Sequence, residues 1–286
     1  MTKHCLHELS LDEMQGAMDK IDIPPCPSTV TAVMTEAQKD APDINVLSRV
    51  IAGDVGMSAF ALKLANSTLF RRGAATDNVG QAIARLGTRN IICIVVAVAL
   101  RNSMAHALPA DFLDRFWSRS NGMALASGMV ARKLRGIPAD LAYTYGLFHD
   151  AAIPVMMRRF PDYAEVFDAA REQGKELPEV EDDRYHCSHA VVGALLARNW
   201  GLPKPLADAI CFHHEADAYE MGADVLAAES LGLIAVTHVA ERLMADLGVA
   251  REDDGGAFFD QAVAYLGLDE DDLLDLREDL SEALNG

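Results

Sequence analysis

Basic charge, aromatic rings, paired cysteines and a long apolar run are all scarce in this sequence. There are 25 Lys and Arg residues against 43 Asp and Glu, a formal net charge of −18. So acidic a chain repels phosphate backbones, which argues against general nucleic-acid binding. The five cysteines, Cys5, Cys26, Cys93, Cys187 and Cys211, are scattered, odd in number and free of any CxxC pair. That pattern excludes a disulfide framework and a zinc knuckle and fits reduced thiols in a cytoplasmic protein. The longest apolar run, Ile91–Leu100, has ten residues, where a membrane-spanning helix needs about twenty. The first residues, MTKHCLHELS, lack the apolar core of a signal peptide. A soluble cytoplasmic protein with no membrane partner is therefore expected. Aromatic residues make up 6% of a chain that is 50% hydrophobic, and the remaining apolar content is mainly Ala, Leu, Val and Met. That composition favours helix-on-helix packing over an aromatic-rich sheet.

The charge that is present is unevenly spread. Residues 1–105 carry ten basic and ten acidic side chains, and residues 106–286 carry fifteen and thirty-three. The neutral front half contains Arg71, Arg72, Arg85 and Arg89, candidate contacts for an acidic partner; their ordinary alternative is solvated arginine on helix surfaces.

Punctuation along the chain predicts helices throughout. A short amphipathic helix precedes Ile23, and three prolines in Pro24–Ser28 give an extended entry. Ser28, Asp43, Asp54, Asn78 and Thr88 are placed to cap the helices that follow, and Gly87 to stop one. Ile91–Leu100 is β-branched enough to read as a buried strand, but its cap and its helical neighbours favour a buried helix. Further helices are expected over 121–134, from Pro138 through His149 and Asp150, over 162–172, as one long element over 179–199, over 204–214 and over 229–245. The segment after Arg251 holds twelve acids and one arginine and reads as two acidic amphipathic helices. Their apolar faces suit docking on the body or, alternatively, recruiting a partner. The expected organisation is a lead-in (1–22), a front helical lobe (23–105), a back helical lobe (106–250) and an acidic extension (251–286).

Chemistry concentrates in the back half. His149-Asp150 is followed by His186 and His189, then His213-His214, then His238 and Glu241. Imidazoles and carboxylates in this sequence suit manganese, iron or zinc, which polarise phosphate oxygens. His4, His7 and His106 read as ordinary surface or packing histidines.

The stretch Tyr145-Gly-Leu-Phe-His149-Asp150 resembles the centre of the HD phosphohydrolase superfamily. His189-Ala-Val-Val-Gly-Ala-Leu-Leu-Ala-Arg-Asn-Trp200-Gly-Leu-Pro203 with His213-His214 resembles the HDOD (HD-related output domain) family more specifically. Pro24–Ser28, Ile51-Ala-Gly-Asp54, Leu64-Ala-Asn-Ser67 and Ala82–Gly87 extend that resemblance through the front half, from about residue 23 to 243. It implies an all-α, two-lobed bacterial signalling or regulatory module whose back lobe is related to metal phosphohydrolases.

The match departs from the catalytic pattern in four places. Arg119 stands where the first metal histidine is expected, and a guanidinium cannot ligate a metal. Ala151-Ala152-Ile153 replaces the Ile-Gly-Lys that often follows the pair. Glu241 takes the final aspartate position, and no Gly-Tyr-Pro follows His214. The resemblance thus implies a vestigial site of Arg119, His149, Asp150, His189, His213, His214 and Glu241. In the preferred reading Arg119 pairs with Asp150 or Glu241 in place of an ion. The expected function is a non-enzymatic signal-transduction module without a cofactor, binding a protein partner or small ligand. The alternative is a metal-dependent phosphohydrolase holding manganese, iron or zinc on His149, Asp150, His189, His213 and His214.

Overall fold

Three short polar side chains set the starts of the front helices. In the computed structural model Asp43 accepts the Asn45 N–H at 2.8 Å, Asp54 the Met57 N–H at 2.8 Å, and Asn78 the Gln81 N–H at 3.0 Å. Each satisfies a backbone donor that has no partner inside its helix. Ser28 does not cap: it is already the first helical residue, and Pro27 flanks it without a side-chain bond. The structure describes residues 21–105, 107–249 and 258–285. The expected helix before Ile23, and His4, Cys5, His7 and His106, lie outside the described residues.

The front half comprises α1 (Ser28–Ala37), α2 (Ile44–Ala52), α3 (Val55–Asn66) and α4 (Val79–Met104). The first three pack on α4. Gly87, at φ 77° and ψ 167°, kinks α4, a conformation that costs glycine little. Ile91–Leu100 is helical, as its cap and neighbours predict. By length and composition alone α4 could cross a bilayer, but 61% of its most apolar window is buried inside the protein. It is the core helix of the front half.

The back half comprises α5 (Ala110–Lys133), α6 (Ala139–Phe148), α7 (Ile153–Arg159), α8 (Ala164–Gln173), α9 (Leu177–Tyr185), α10 (His189–Asn199), α11 (Lys204–Phe212) and α12 (Ala228–Asp246). Helices α13 (Phe259–Leu266) and α14 (Glu270–Asn285) follow. All regular structure among the described residues is helical.

Three expectations need correction. The helix expected to begin at Asn121 starts eleven residues earlier, at Ala110; its first turns carry a partly exposed mix of residues that masks the period. His149 and Asp150 lie just past the end of α6, in the turn before α7, whose first turn holds Pro154, and not within a helix. The long element expected over 179–199 is two helices. His186 adopts a left-handed conformation at φ 58° and ends α9, and the chain restarts at His189. Histidine enters that conformation more readily than most side chains but still uncommonly, so its type alone does not announce the break.

The core is continuous across both halves. Among the described residues one cluster of buried side chains runs from Ile21 to Leu280, and Val166, Ala170 and Val180 form a separate group between α8 and α9. The entry segment is tied to the back half by the Trp200 indole, which donates to the Pro24 carbonyl at 3.0 Å, and by an Arg158–Asp22 pair at 2.8 Å. Helix α13 packs on α12, and α14 reaches α5, burying Ala262, Leu276 and Leu280. The apolar faces of the acidic tail therefore dock on the body.

Candidate functional site

Four elements converge at one point of the back half. The α6–α7 turn supplies His149 and Asp150, the first residue of α10 is His189, the end of α11 supplies His213 and His214, and α12 supplies Glu241. Helices α5 and α6 bring the first of these close. A Cβ on Gly146 would stand 2.6 Å from Ser127 Oγ and 2.8 Å from the Met123 carbonyl, so only glycine fits that crossing.

Each of the three innermost imidazoles has one nitrogen tied outward. Nδ1–H of His149 donates to the Gly146 carbonyl at 2.9 Å, and that of His213 to the Ile210 carbonyl at 2.8 Å. Nδ1–H of His189 donates to the Glu181 carboxylate at 2.8 Å. Each Nε2 then faces Asp150, at 3.2 Å from His149, 3.4 Å from His189 and 3.6 Å from His213. Glu241 lies 3.7 Å from His149 Nε2, and His214 Nδ1 lies 3.6 Å from Glu176. The side chains of His149, His189 and His213 are at most 3% exposed, whereas Asp150 is 18% exposed.

The electrostatics follow from these contacts. Burial works against ionising Asp150, but the surrounding His149, His189 and His213 hold its carboxyl well below the usual range. Burial also disfavours charge on His189, yet Glu181 and Asp150 outweigh it and push that ring up to about 10. For His213 burial wins, and the ring falls to about 4. His149 is raised: burial lowers it, Asp150 and Glu241 raise it more, and the Arg119 charge opposes them.

Arg119 is therefore within electrostatic reach of the cluster, half-buried on α5. The front-half arginines are placed differently. Arg85 donates to the Ala65 and Ala74 carbonyls, each at 3.0 Å, and Arg89 pairs with Asp140 at 3.4 Å. Arg71 donates to the Gly73 carbonyl, and Arg72 is exposed in the same loop. Arg85 thus braces the Ala65 and Ala74 carbonyls to α4.

The donor set accommodates a divalent ion. Ligand atoms of Asp150, His189, His213 and His214 all lie within 4.8 Å of one another. Nε2 of His189 and of His213 are buried without a hydrogen-bond partner, and buried polar atoms rarely remain so. An imidazole with one nitrogen pinned and the other directed inward is the arrangement of metal-binding histidines. The expectation of no cofactor thus meets residues that fit one.

Sequence reasoning missed Glu181, Tyr163 and Tyr219. Glu181 is fully buried, and it receives the His189 backbone N–H at 2.8 Å and the Tyr163 hydroxyl as well as the His189 ring. Read on one continuous helix, Glu181 and His189 would be two turns apart, and only the break at His186 brings them together. Tyr219 donates to His238, whose opposite nitrogen donates to the His213 carbonyl.

An all-helical fold with a His-Asp pair and later histidines gathered around one carboxylate defines a protein of HD-like architecture. A solved structure from Shewanella amazonensis SB2B, named "Putative phosphohydrolase", shares that fold with a TM-score of 0.65 at 23% identity, over 93% of each chain. An HDOD domain protein of unknown function from Geobacter sulfurreducens matches with a TM-score of 0.62 at 19% identity, over 94% of this chain and 96% of that one. The HDOD domain family model matches residues 23–216, and the chain belongs to the HDOD family. An uncharacterised protein of Treponema pallidum (strain Nichols) is 26% identical over 203 residues, 68% of this chain but only 38% of that relative's length.

Proposed function

We propose that this protein is a signal-transduction module that acts by binding rather than turnover, and that its His-Asp cluster holds one divalent cation. The observation that carries the reading is the set of three imidazoles, each pinned at Nδ1 and directed at Asp150 through Nε2, with almost no exposure. Asp150, His189, His213 and His214, whose ligand atoms lie within 4.8 Å of one another, would hold the ion, with His149 beside them. A centre closed by protein ligands suits a structural role, whereas catalytic centres keep an open position for water or substrate. The ion's charge would join the α6–α7 turn, α10 and α11.

Two sequence features support binding over turnover. Arg119 occupies the position of a ligand histidine, and its charge already bears on His149. Ala151, Ala152 and Ile153 follow the His-Asp pair, so no lysine stands there to assist a phosphoryl group. The signal then arrives through a protein or small ligand, and the acidic tail favours a partner with a basic face.

A second reading, a metal-dependent phosphohydrolase, is favoured by the retention of His149 and Asp150 beside three further histidines. Elemental analysis of the purified protein, with a bis(p-nitrophenyl) phosphate assay under added manganese, iron or zinc, separates the two. The binding module should retain about one ion per chain, lose it in Asp150→Ala and hydrolyse nothing. Turnover that disappears in Asp150→Ala would establish the phosphohydrolase instead.

A further inference from the structure

Of the three outer partners that pin the imidazoles, two are backbone carbonyls and the third is a side chain. Gly146 and Ile210 hold His149 and His213 through their main chains, and Glu181 holds His189. We propose that Glu181 is the positioning residue of this centre: it fixes which nitrogen of His189 faces Asp150 and makes His189 its strongest neutral donor toward a borderline divalent ion.

This inference rests on the cation reading above and deepens it. Glu181 is fully buried, and all three groups that reach it are donors: the His189 ring, the His189 backbone N–H and the Tyr163 hydroxyl. Two of the three come from one residue. The carboxylate therefore fixes the ring of His189 and the first turn of α10 together, where an acid also suits the positive end of the helix. Ser188, at the N-cap position of α10, makes no side-chain cap bond, and Glu181, in the middle of α9, accepts the His189 N–H instead. With Nδ1–H committed to a carboxylate, Nε2 is the ring atom that faces Asp150, 3.4 Å away, and the one an ion would take by displacing its proton. A carboxylate partner also makes the ring more basic toward a metal than a carbonyl partner does.

A purely structural Glu181 would only join α9 to α10. The two roles differ in what Glu181→Gln does. The amide keeps the volume and one acceptor oxygen but loses the charge. Cobalt(II) added to metal-free protein is the probe, read by equilibrium titration and by its visible d–d absorption. Wild type should bind it, and Glu181→Gln should bind it about 10- to 100-fold more weakly with an altered spectrum and an unchanged circular dichroism. Tyr163→Phe keeps the Glu181–His189 contacts and should bind within about 3-fold of wild type, well short of that loss, even where it unfolds more easily. A folded Glu181→Gln with wild-type cobalt affinity and spectrum would overturn the proposal.

If wild type takes up no cobalt, the cation reading fails, and the positioning claim is judged on the metal-free protein by NMR. A downfield, slowly exchanging His189 Hδ1 resonance with an NOE to the Glu181 γ protons is expected. The same wild-type measurement decides the matter should Glu181→Gln fail to fold. A His189 ring with no proton on Nδ1, or with no NOE to Glu181, would overturn the claim whatever the ion does.

Discussion

The Tyr219 hydroxyl lies 2.8 Å from Nδ1 of His238 and donates to it, while the other ring nitrogen of His238 donates to the His213 carbonyl, also at 2.8 Å. In the neutral ring Nδ1 accepts the Tyr219 proton while Nε2–H donates to the carbonyl, so both nitrogens are satisfied without a buried charge. Phe258 stacks on the same ring with centroids 5.0 Å apart, so one neutral imidazole joins the cation site to the segment that begins the tail.

That arrangement makes stability depend on pH. Burial depresses His238 to about 3, against the accepting His213 carbonyl, which raises it less. The unfolded chain protonates this ring near 6.5 and the folded chain only near 3, so the unfolded state binds more protons in between. The contribution is complete above about pH 6.5 and is lost progressively as pH falls toward 3, at up to about 1.4 kcal/mol per pH unit. Urea titrations of metal-free protein between pH 7.5 and 4.5 should show an acid limb that flattens in His238→Gln. An identical limb in that variant would show that His238 is not its source. His189, raised to about 10, acts in the opposite sense and loses its contribution as pH climbs above 6.5 toward 10.

The acidic tail is held by a few apolar side chains. Leu280 is 1% exposed and Leu276 2%, while Leu274 on the same helix is 57% exposed. Lys133 adds pairs to Asp275 and Asp279 at 3.5 and 3.4 Å, both largely solvated and of little energetic weight. Leu280→Ala should cost about 2–4 kcal/mol by chemical denaturation, and Leu274→Ala almost nothing. Equal effects would mean that α14 is not docked through this face.

Much of this was legible in the sequence. Asp43, Asp54 and Asn78 declare their helix starts because a capping side chain acts within three residues, and Gly87 and Gly174 take the positive φ values that their type permits. His149, Asp150, His189, His213 and Glu241 were identifiable from their order and types, and the fold does gather them. Glu181 was hidden because its partnership with His189 depends on a left-handed residue, His186, that carries no local signal. Arg85 looked available from its charge alone; its engagement with the Ala65 and Ala74 carbonyls is a tertiary fact.

Gly146 offers a test of how strictly the crossing of α5 and α6 sets the site. A methyl group there would meet Ser127 Oγ, the Met123 carbonyl at 2.8 Å and the Ala124 Cα at 3.0 Å, and two of these are backbone atoms that cannot swing away. Gly146→Ala removes a flexible residue from a helix interior, which by propensity alone would stabilise the chain by about 1 kcal/mol. Overpacking should reverse that sign and leave the variant about 1–3 kcal/mol less stable. Because the Gly146 carbonyl also holds His149, cobalt affinity should fall with stability. A Gly146→Ala protein as stable as wild type would show that the helices separate freely at this point.

Removal of the cation provides the last test. An ion held by residues from the α6–α7 turn, α10 and α11 binds the folded chain and not the unfolded one, so it stabilises by mass action. At a free concentration one hundred times the dissociation constant, the gain is about 2.7 kcal/mol. A chelator should therefore lower the melting temperature of wild type, and added zinc or manganese should restore it. Asp150→Ala removes the carboxylate that all three Nε2 atoms face, so its melting temperature should not respond to chelator or to metal. A wild-type transition equally indifferent to both would mean that the histidines are held by the packing of their own helices and that no ion contributes.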